Sequence, residues 1–126
     1  MLGDAPLMAF IPVTDPAAAR QFYETTLGLT VVEESPFAVV MEAKGTMLRL
    51  TPVNDLHVQP FTVAGWQVHD MGKAVDGLAA LGVTFTRYPG MDQDERGIWT
   101  TPGGDRVAWF TDPDGNTLSL TSFAAG

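Results

Sequence analysis

The sequence predicts an α+β fold built from two copies of a βαβββ unit. Three observations carry this. The chain repeats itself internally, each copy has a helix start and a helix stop, and the last strand of each copy alternates with a two-residue period. Val13-Thr14-Asp15 matches Val68-His69-Asp70, and Leu27-Gly28-Leu29-Thr30-Val31 matches Leu81-Gly82-Val83-Thr84-Phe85. Gly45-Thr46-Met47-Leu48-Arg49-Leu50-Thr51 matches Gly115-Asn116-Thr117-Leu118-Ser119-Leu120-Thr121.

The elements follow in order. A first strand is expected over 7–13. Asp15 then sits where an N-cap belongs, with Pro16 at the first helical position. Ala19, Phe22, Tyr23, Thr26 and Leu27 recur at helical spacing, and Gly28 is a helix stop. Strands are expected over 30–34, 37–42 and 47–53, broken by Ser35-Pro36 and Lys44-Gly45. The second copy restarts with a strand over 61–68. Asp70 caps a helix with Met71, Ala74, Val75 and Leu78 on its apolar face, and Gly82 ends it. Strands are then expected near 83–88, 98–101, 106–110 and 117–123. The predicted organisation is one domain over 1–126, with modules at 5–53 and 61–123 and a linker at 54–60.

Composition narrows the function classes. A length of 126 residues fits one domain, and 45% hydrophobic residues can build a core. No run of about 18 apolar residues predicts a membrane helix, and the N-terminal MLGDAPLMAFIPV has no basic n-region of a signal peptide. Cysteine is absent, which excludes disulfides, thiolate zinc sites and a cysteine nucleophile, and is compatible with a reducing cytoplasm. The net charge of −8 disfavours binding to a phosphate backbone. No nucleophile elbow, phosphate loop or dinucleotide fingerprint is present. In Asp112-Pro113-Asp114-Gly115-Asn116 the glycine is fourth, where a calcium loop of the EF-hand type needs it sixth, so the stretch is expected to be a turn.

Alternation assigns faces to the last strands. Leu48, Leu50, Leu118 and Leu120 should pack under the helices, and Met47, Arg49, Thr51, Thr117, Ser119 and Thr121 should point away from them. With "VTDPAAARQFYETTLGL", "LAALGV" and "DPDGNTLSL" in this order on a duplicated pattern, the sequence resembles the vicinal oxygen chelate superfamily of glyoxalases, extradiol dioxygenases and bleomycin-resistance proteins. The resemblance covers nearly the whole chain. It implies two tandem βαβββ modules forming a cupped mixed sheet with helices on the outer face, and often a homodimer. Metal-dependent members place a His on the first strand of each module and a Glu or His on the last. Matched onto this chain, the four positions fall at Met8, Arg49, Ala64 and Ser119. None suits a divalent ion: Met8 is soft, Arg49 is a permanent cation, Ala64 has no donor and Ser119 is a poor ligand while protonated. His57 and His69 are expected at the surface, so no metal or other cofactor is expected.

The cup implied by the resemblance would be lined by Met8, Phe10, Met47, Arg49, Thr51, Ala64, Trp66, Thr117, Ser119 and Thr121, joined by Phe37, Val39 and Trp99. The aromatics either bind a ligand or fill the sheet interior. Arg49 either pairs with an acid such as Glu42 or anchors an anionic or carbonyl-bearing ligand. The acidic loop 88–97 is either a lid or solvated surface. The expected function is metal-free binding of a small organic molecule, a drug or metabolite, near Arg49. The alternative is a lyase, isomerase or dioxygenase with an atypical or dimer-shared site.

Overall fold

Asp15 and Asp70 each start a helix, in both cases by the same bond. The Asp15 carboxylate accepts the Ala18 N–H at 3.2 Å, and Asp70 accepts the Lys73 N–H at 3.1 Å. Caps of this kind stabilise a helix by about 1 kcal/mol each. Gly28 and Gly82 close the two helical segments at φ 80° and 94°, a left-handed conformation that costs glycine nothing. The computed structural model describes residues 1–125, and the chain divides into two units, Met1–Val58 and Gln59–Gly126.

In the first unit, a short 3₁₀ turn at Leu2–Asp4 precedes strand β1 (Met8–Val13). Helix α1 (Pro16–Gln21) continues into a π-helical turn, Phe22–Thr26, in which the Leu27 N–H reaches back five residues to the Phe22 carbonyl at 3.0 Å. Strands β2 (Thr30–Ser35), β3 (Ala38–Ala43) and β4 (Thr46–Pro52) complete it. The sheet order is β1-β4-β3-β2, with β1 parallel to β4 and the other pairs antiparallel. Helix α1 packs on β4 and β3. Ile11, Val13, Ala19, Tyr23, Val39, Met41, Leu48 and Leu50 are buried, so the leucine face is the core face. Each large apolar side chain buried there stabilises the unit by roughly 1.5–3 kcal/mol.

The second unit repeats the plan with β5 (Thr62–Gln67), α2 (Met71–Ala80), β6 (Trp99–Thr100), β7 (Arg106–Thr111) and β8 (Thr117–Ser122). Its sheet order is β5-β8-β7-β6, again mixed, with β5 parallel to β8. Helix α2 packs on β7 and β8, and Met71, Val75, Ile98, Ala108, Phe110, Leu118 and Leu120 form the core. The tandem βαβββ α+β fold is therefore present, with the helices outside the sheets. The strand expected near 83–88 is not regular. The Thr86 N–H donates to the Trp109 carbonyl at 2.7 Å, but the Gln93 side chain takes the neighbouring backbone groups that a ladder would use.

The Asp112–Asn116 stretch is a turn, and its acid is consumed in building it. Asp112 Oδ1 accepts the N–H groups of Asp114 at 3.0 Å and Asn116 at 2.9 Å, and Oδ2 accepts the Asn116 side-chain amide at 2.9 Å. Asp112 and Asn116 are both buried, which such satisfied groups tolerate. The turn fixes the β7–β8 hairpin, pairing Thr111 with Thr117 and Trp109 with Ser119.

One register differs from the expected alternation. Val63 is an extra residue in β5, so Thr62 pairs with Thr117 but Ala64 pairs with Leu118 and Trp66 with Leu120. Ala64 and Trp66 thus share the leucine face, which corrects their expected position beside Ser119. Gly65 and Gln67 stand next to Ser119 and Thr121 instead. Gly65 is required there: a Cβ would lie 2.6 Å from Ser119 Oγ and 3.3 Å from the Ser119 carbonyl oxygen. Gly65→Ala is expected to destabilise the protein by about 1–3 kcal/mol through overpacking, measured by urea unfolding. Adding Ser119→Ala to that variant should recover part of the loss, because it removes the nearer clashing atom.

Candidate ligand-binding site

On the first unit's sheet, the face away from the leucines carries five of the expected site residues. Met8 pairs with Met47, Phe10 with Arg49 and Pro12 with Thr51, and paired residues point the same way. Val40 flanks Arg49 on the other side, and Glu42 flanks Met47. Phe10 is 61% exposed, and Met47, Arg49 and Thr51 are half-buried. Two residues expected here lie elsewhere. Val39 pairs with Leu50 on the core face, and Phe37 sits in the β2–β3 turn, exposed to solvent.

Arg49 does not take the partner considered for it. Glu42 Oε1 instead accepts the Gly45 N–H at 3.1 Å. Within its unit, Arg49 makes no hydrogen bond or ion pair among the described residues. Arg20, by contrast, bonds both Glu24 and Glu34, and the Glu24 hydrogen bond leads in raising its pKa above the ordinary arginine value.

On the second unit's sheet, Ser119 and Thr121 face the same way as Trp99. Val107 pairs with both Thr121 and Trp99, which joins them in one cross-strand row. Gly65, Ser119 and Trp109 form the adjacent row. Ser119 is buried between a glycine and an indole. Trp109 meets Trp99 with ring centroids 6.2 Å apart, and Tyr88 edge-on at 5.4 Å. Trp109 and Tyr88 were not among the expected site residues. Alternation against buried Phe110 was the signal that could have found Trp109.

The loop 88–97 is pinned from within. Gln93 accepts the Tyr88 N–H at 2.7 Å and donates to the carbonyls of Thr86 and Gly97 at 2.9 and 2.8 Å. Asp94 Oδ1 accepts the N–H groups of Arg96 and Ile98, both at 2.9 Å. Arg96 leaves the loop to grip Asp76 through two bonds of 2.8 and 2.9 Å, and the Asp76 hydrogen bond raises its pKa above the usual range. Tyr88, Pro89, Gly90, Met91, Asp92 and Trp99 line an open groove of about 450 Å³.

The four family metal positions do not fit a divalent ion. Met8 is not in register with Arg49, Ala64 faces the core side of its sheet, and Ser119 is flanked by Gly65 and Trp109. Among the described residues, no three side chains of His, Cys, Asp or Glu come together as a ligand set. His57 pairs with Asp55 at 3.2 Å at the surface, and His69 is exposed.

Two helix-backed, mixed four-stranded sheets in tandem, each presenting a face that its helix leaves free, define a duplicated βαβββ protein. A family model described as the Glyoxalase/Bleomycin resistance protein/Dioxygenase superfamily matches residues 6–120, and the chain belongs to that superfamily. Among solved structures, a superfamily member from Sphaerobacter thermophilus DSM 20745 is 27% identical, with a TM-score of 0.72 over 94% of this chain and 96% of that one. The fold is shared with a glyoxalase family protein from Enterococcus faecalis (16% identity, TM-score 0.76, 96% and 99% covered). It is also shared with a lactoylglutathione lyase from Agrobacterium tumefaciens (18% identity, TM-score 0.73, 94% and 93% covered). A search of curated proteins gives no match.

The pinned loop generates a test. Gln93→Ala removes three hydrogen bonds at a half-buried site and is expected to cost about 1.5–4 kcal/mol, read by urea unfolding. Hydrogen exchange should rise at Tyr88 in that variant. Unchanged exchange at Tyr88 would show that Gln93 does not hold the loop.

Proposed function

We propose that the chain is a small-molecule-binding protein of its superfamily that does not use the family's metal, with the ligand held at the open sheet face around Arg49. The observation that carries this reading is the guanidinium itself. It is half-buried beside exposed Phe10, and within its unit it makes no ion pair among the described residues. A charged group withdrawn from water without a partner is unfavourable, and a ligand that supplies an acceptor offsets that cost. The planar fork of arginine matches a carboxylate, phosphate or enolate through two parallel bonds. Phe10 supplies apolar surface, Met8 and Met47 adapt in shape, and the Thr51 hydroxyl supplies a directional bond.

The superfamily's breadth leaves a drug or a metabolite as the ligand, and an anionic or carbonyl-bearing one suits Arg49. Leu2 and Leu7, both ahead of β1, leave apolar surface exposed, which supports the homodimer implied by the family. No described helix is long and apolar enough to cross a membrane, and the lack of cysteine is compatible with the cytoplasm.

Thermal-shift screening with carboxylate- and phosphate-bearing small molecules tests the reading, because a ligand at 100 times its Kd stabilises the native state by about 2.7 kcal/mol. Arg49→Ala is expected to weaken any hit by about tenfold or more, the loss of a charge-assisted hydrogen bond. Affinity unchanged by that substitution would sink the assignment. Elemental analysis of purified protein should find no stoichiometric iron, manganese, nickel or zinc. A stoichiometric metal lost on changing His57 or His69 would overturn the metal-free reading.

A further inference from the structure

We infer that the second unit carries a separate site for a planar aromatic cation, in the groove between the 88–92 segment and Trp99. Three observations meet there. The first is flat apolar surface. Tyr88 and Trp99 border the groove, and Trp109 supports both from the sheet at 5.4 and 6.2 Å between ring centroids. All three rings are only half-buried, so they remain partly wet in the free protein. A planar ring system covering Trp99 removes that surface from water and gains stacking contact.

The second observation is charge. Asp92 borders the groove, is exposed, and has no hydrogen bond or ion pair among the described residues. The arginines of the surrounding segment are already engaged. Arg87 donates to the carbonyls of Gln93 and Asp94 at 3.3 and 2.8 Å, Arg96 grips Asp76, and Arg106 lies 3.9 Å from Asp94. Asp92 therefore keeps its negative charge uncompensated beside electron-rich indole and phenol rings. Both features favour a cation, by direct attraction and by the ring quadrupole. The net charge of −8 steers a cation toward the protein and an anion away.

The third observation is preorganisation. The groove's rim is not a free loop, because the Gln93 amide and the Asp94 carboxylate fix its backbone from the inside. A ligand meets a rim that is already ordered, so little loop entropy is lost on binding. The volume of about 450 Å³ lies at the lower end of the range for small-molecule sites, roughly 300–1,000 Å³. Two or three fused rings fill such a space. The inference does not rest on Arg49, which favours the opposite charge and belongs to the other unit.

Calorimetric titration of the Arg49→Ala variant, which lacks the anion site proposed above, tests it with three planar probes: proflavine as the cation, acridone as the neutral analogue and anthracene-2-sulfonate as the anion. In that background the protein is expected to bind proflavine saturably at one site, more tightly than acridone and much more tightly than the sulfonate. Trp99→Ala should weaken proflavine by about tenfold or more, the usual loss of a stacking ring. Asp92→Asn should weaken proflavine by about two- to fivefold, as for an exposed ion pair, and leave acridone unchanged. If Trp99→Ala does not fold by circular dichroism, the Asp92→Asn comparison decides alone. No saturable proflavine binding, equal binding of the sulfonate, or an Asp92→Asn variant with unaltered proflavine affinity would overturn the proposal. Loss of Arg49-dependent carboxylate binding with proflavine binding intact would overturn only the earlier reading, and the reverse pattern only this one.

Discussion

The register of β8 governs what the second unit can present. β8 is an inner strand, paired with β5 on one side and β7 on the other. A slip of one residue would carry Ser119 and Thr121 to the core face and bring Leu118 and Leu120 out. Two local devices prevent it. On the β7 side, Asp112 ties the hairpin turn with three hydrogen bonds and sets Thr111 opposite Thr117. On the β5 side, Gly65 lets the parallel strand sit against Ser119 where any Cβ would collide. The acid that looks most like a metal ligand in the sequence is thus a structural group. Its oxygens are spent on backbone and amide donors, and the strand it positions carries no carboxylate.

Duplication has conserved the scaffold and changed the chemistry upon it. Arg49 and Ser119 are equivalent in the repeat, and so are their parallel neighbours Phe10 and Gly65. The first unit sets a large cation beside a large exposed ring. The second sets a small hydroxyl beside a glycine, and the space near it is taken by Trp109 from the antiparallel side. The bulky group has moved from the parallel neighbour to the antiparallel one. In the two proposals the faces favour opposite charges, through a guanidinium in one and aromatic rings beside a carboxylate in the other, neither charge paired within its unit among the described residues.

Features encoded locally were legible in the sequence. The helix caps at Asp15 and Asp70, the stops at Gly28 and Gly82, and the Asp112 turn each depend on a few adjacent residues, and each forms as expected. The first unit's face was legible along β1 and β4, which alternate without interruption, but not along β3, where Val39 lies on the core face and Phe37 falls in the preceding turn. The second unit's face was legible only in part. Val63 is an ordinary strand residue, and nothing next to it announces a bulge, yet it moves Trp66 to the opposite face. The irregular 83–88 segment was hidden for a related reason. Its β-branched and aromatic residues suit a strand, but a glutamine several residues later in sequence satisfies its backbone. A side chain that substitutes for a neighbouring strand leaves no periodic trace.

The residues at the superfamily's metal positions do not suit a divalent ion, on charge as well as on donors. A divalent ion needs several anionic or imidazole groups to replace its water. At the corresponding positions this chain offers a thioether, a guanidinium, a methyl group and a buried hydroxyl. Arg49 changes the role of its face in the first unit. Where a metal would polarise a ligand's oxygens, a guanidinium can hold those same oxygens through hydrogen bonds, at lower charge density and with no open coordination position. Such a group favours binding of an anionic oxygen more readily than redox or hydrolytic chemistry upon it. In the proposed reading, the residue least suited to a metal is the one that anchors the ligand, which is why binding is proposed ahead of catalysis.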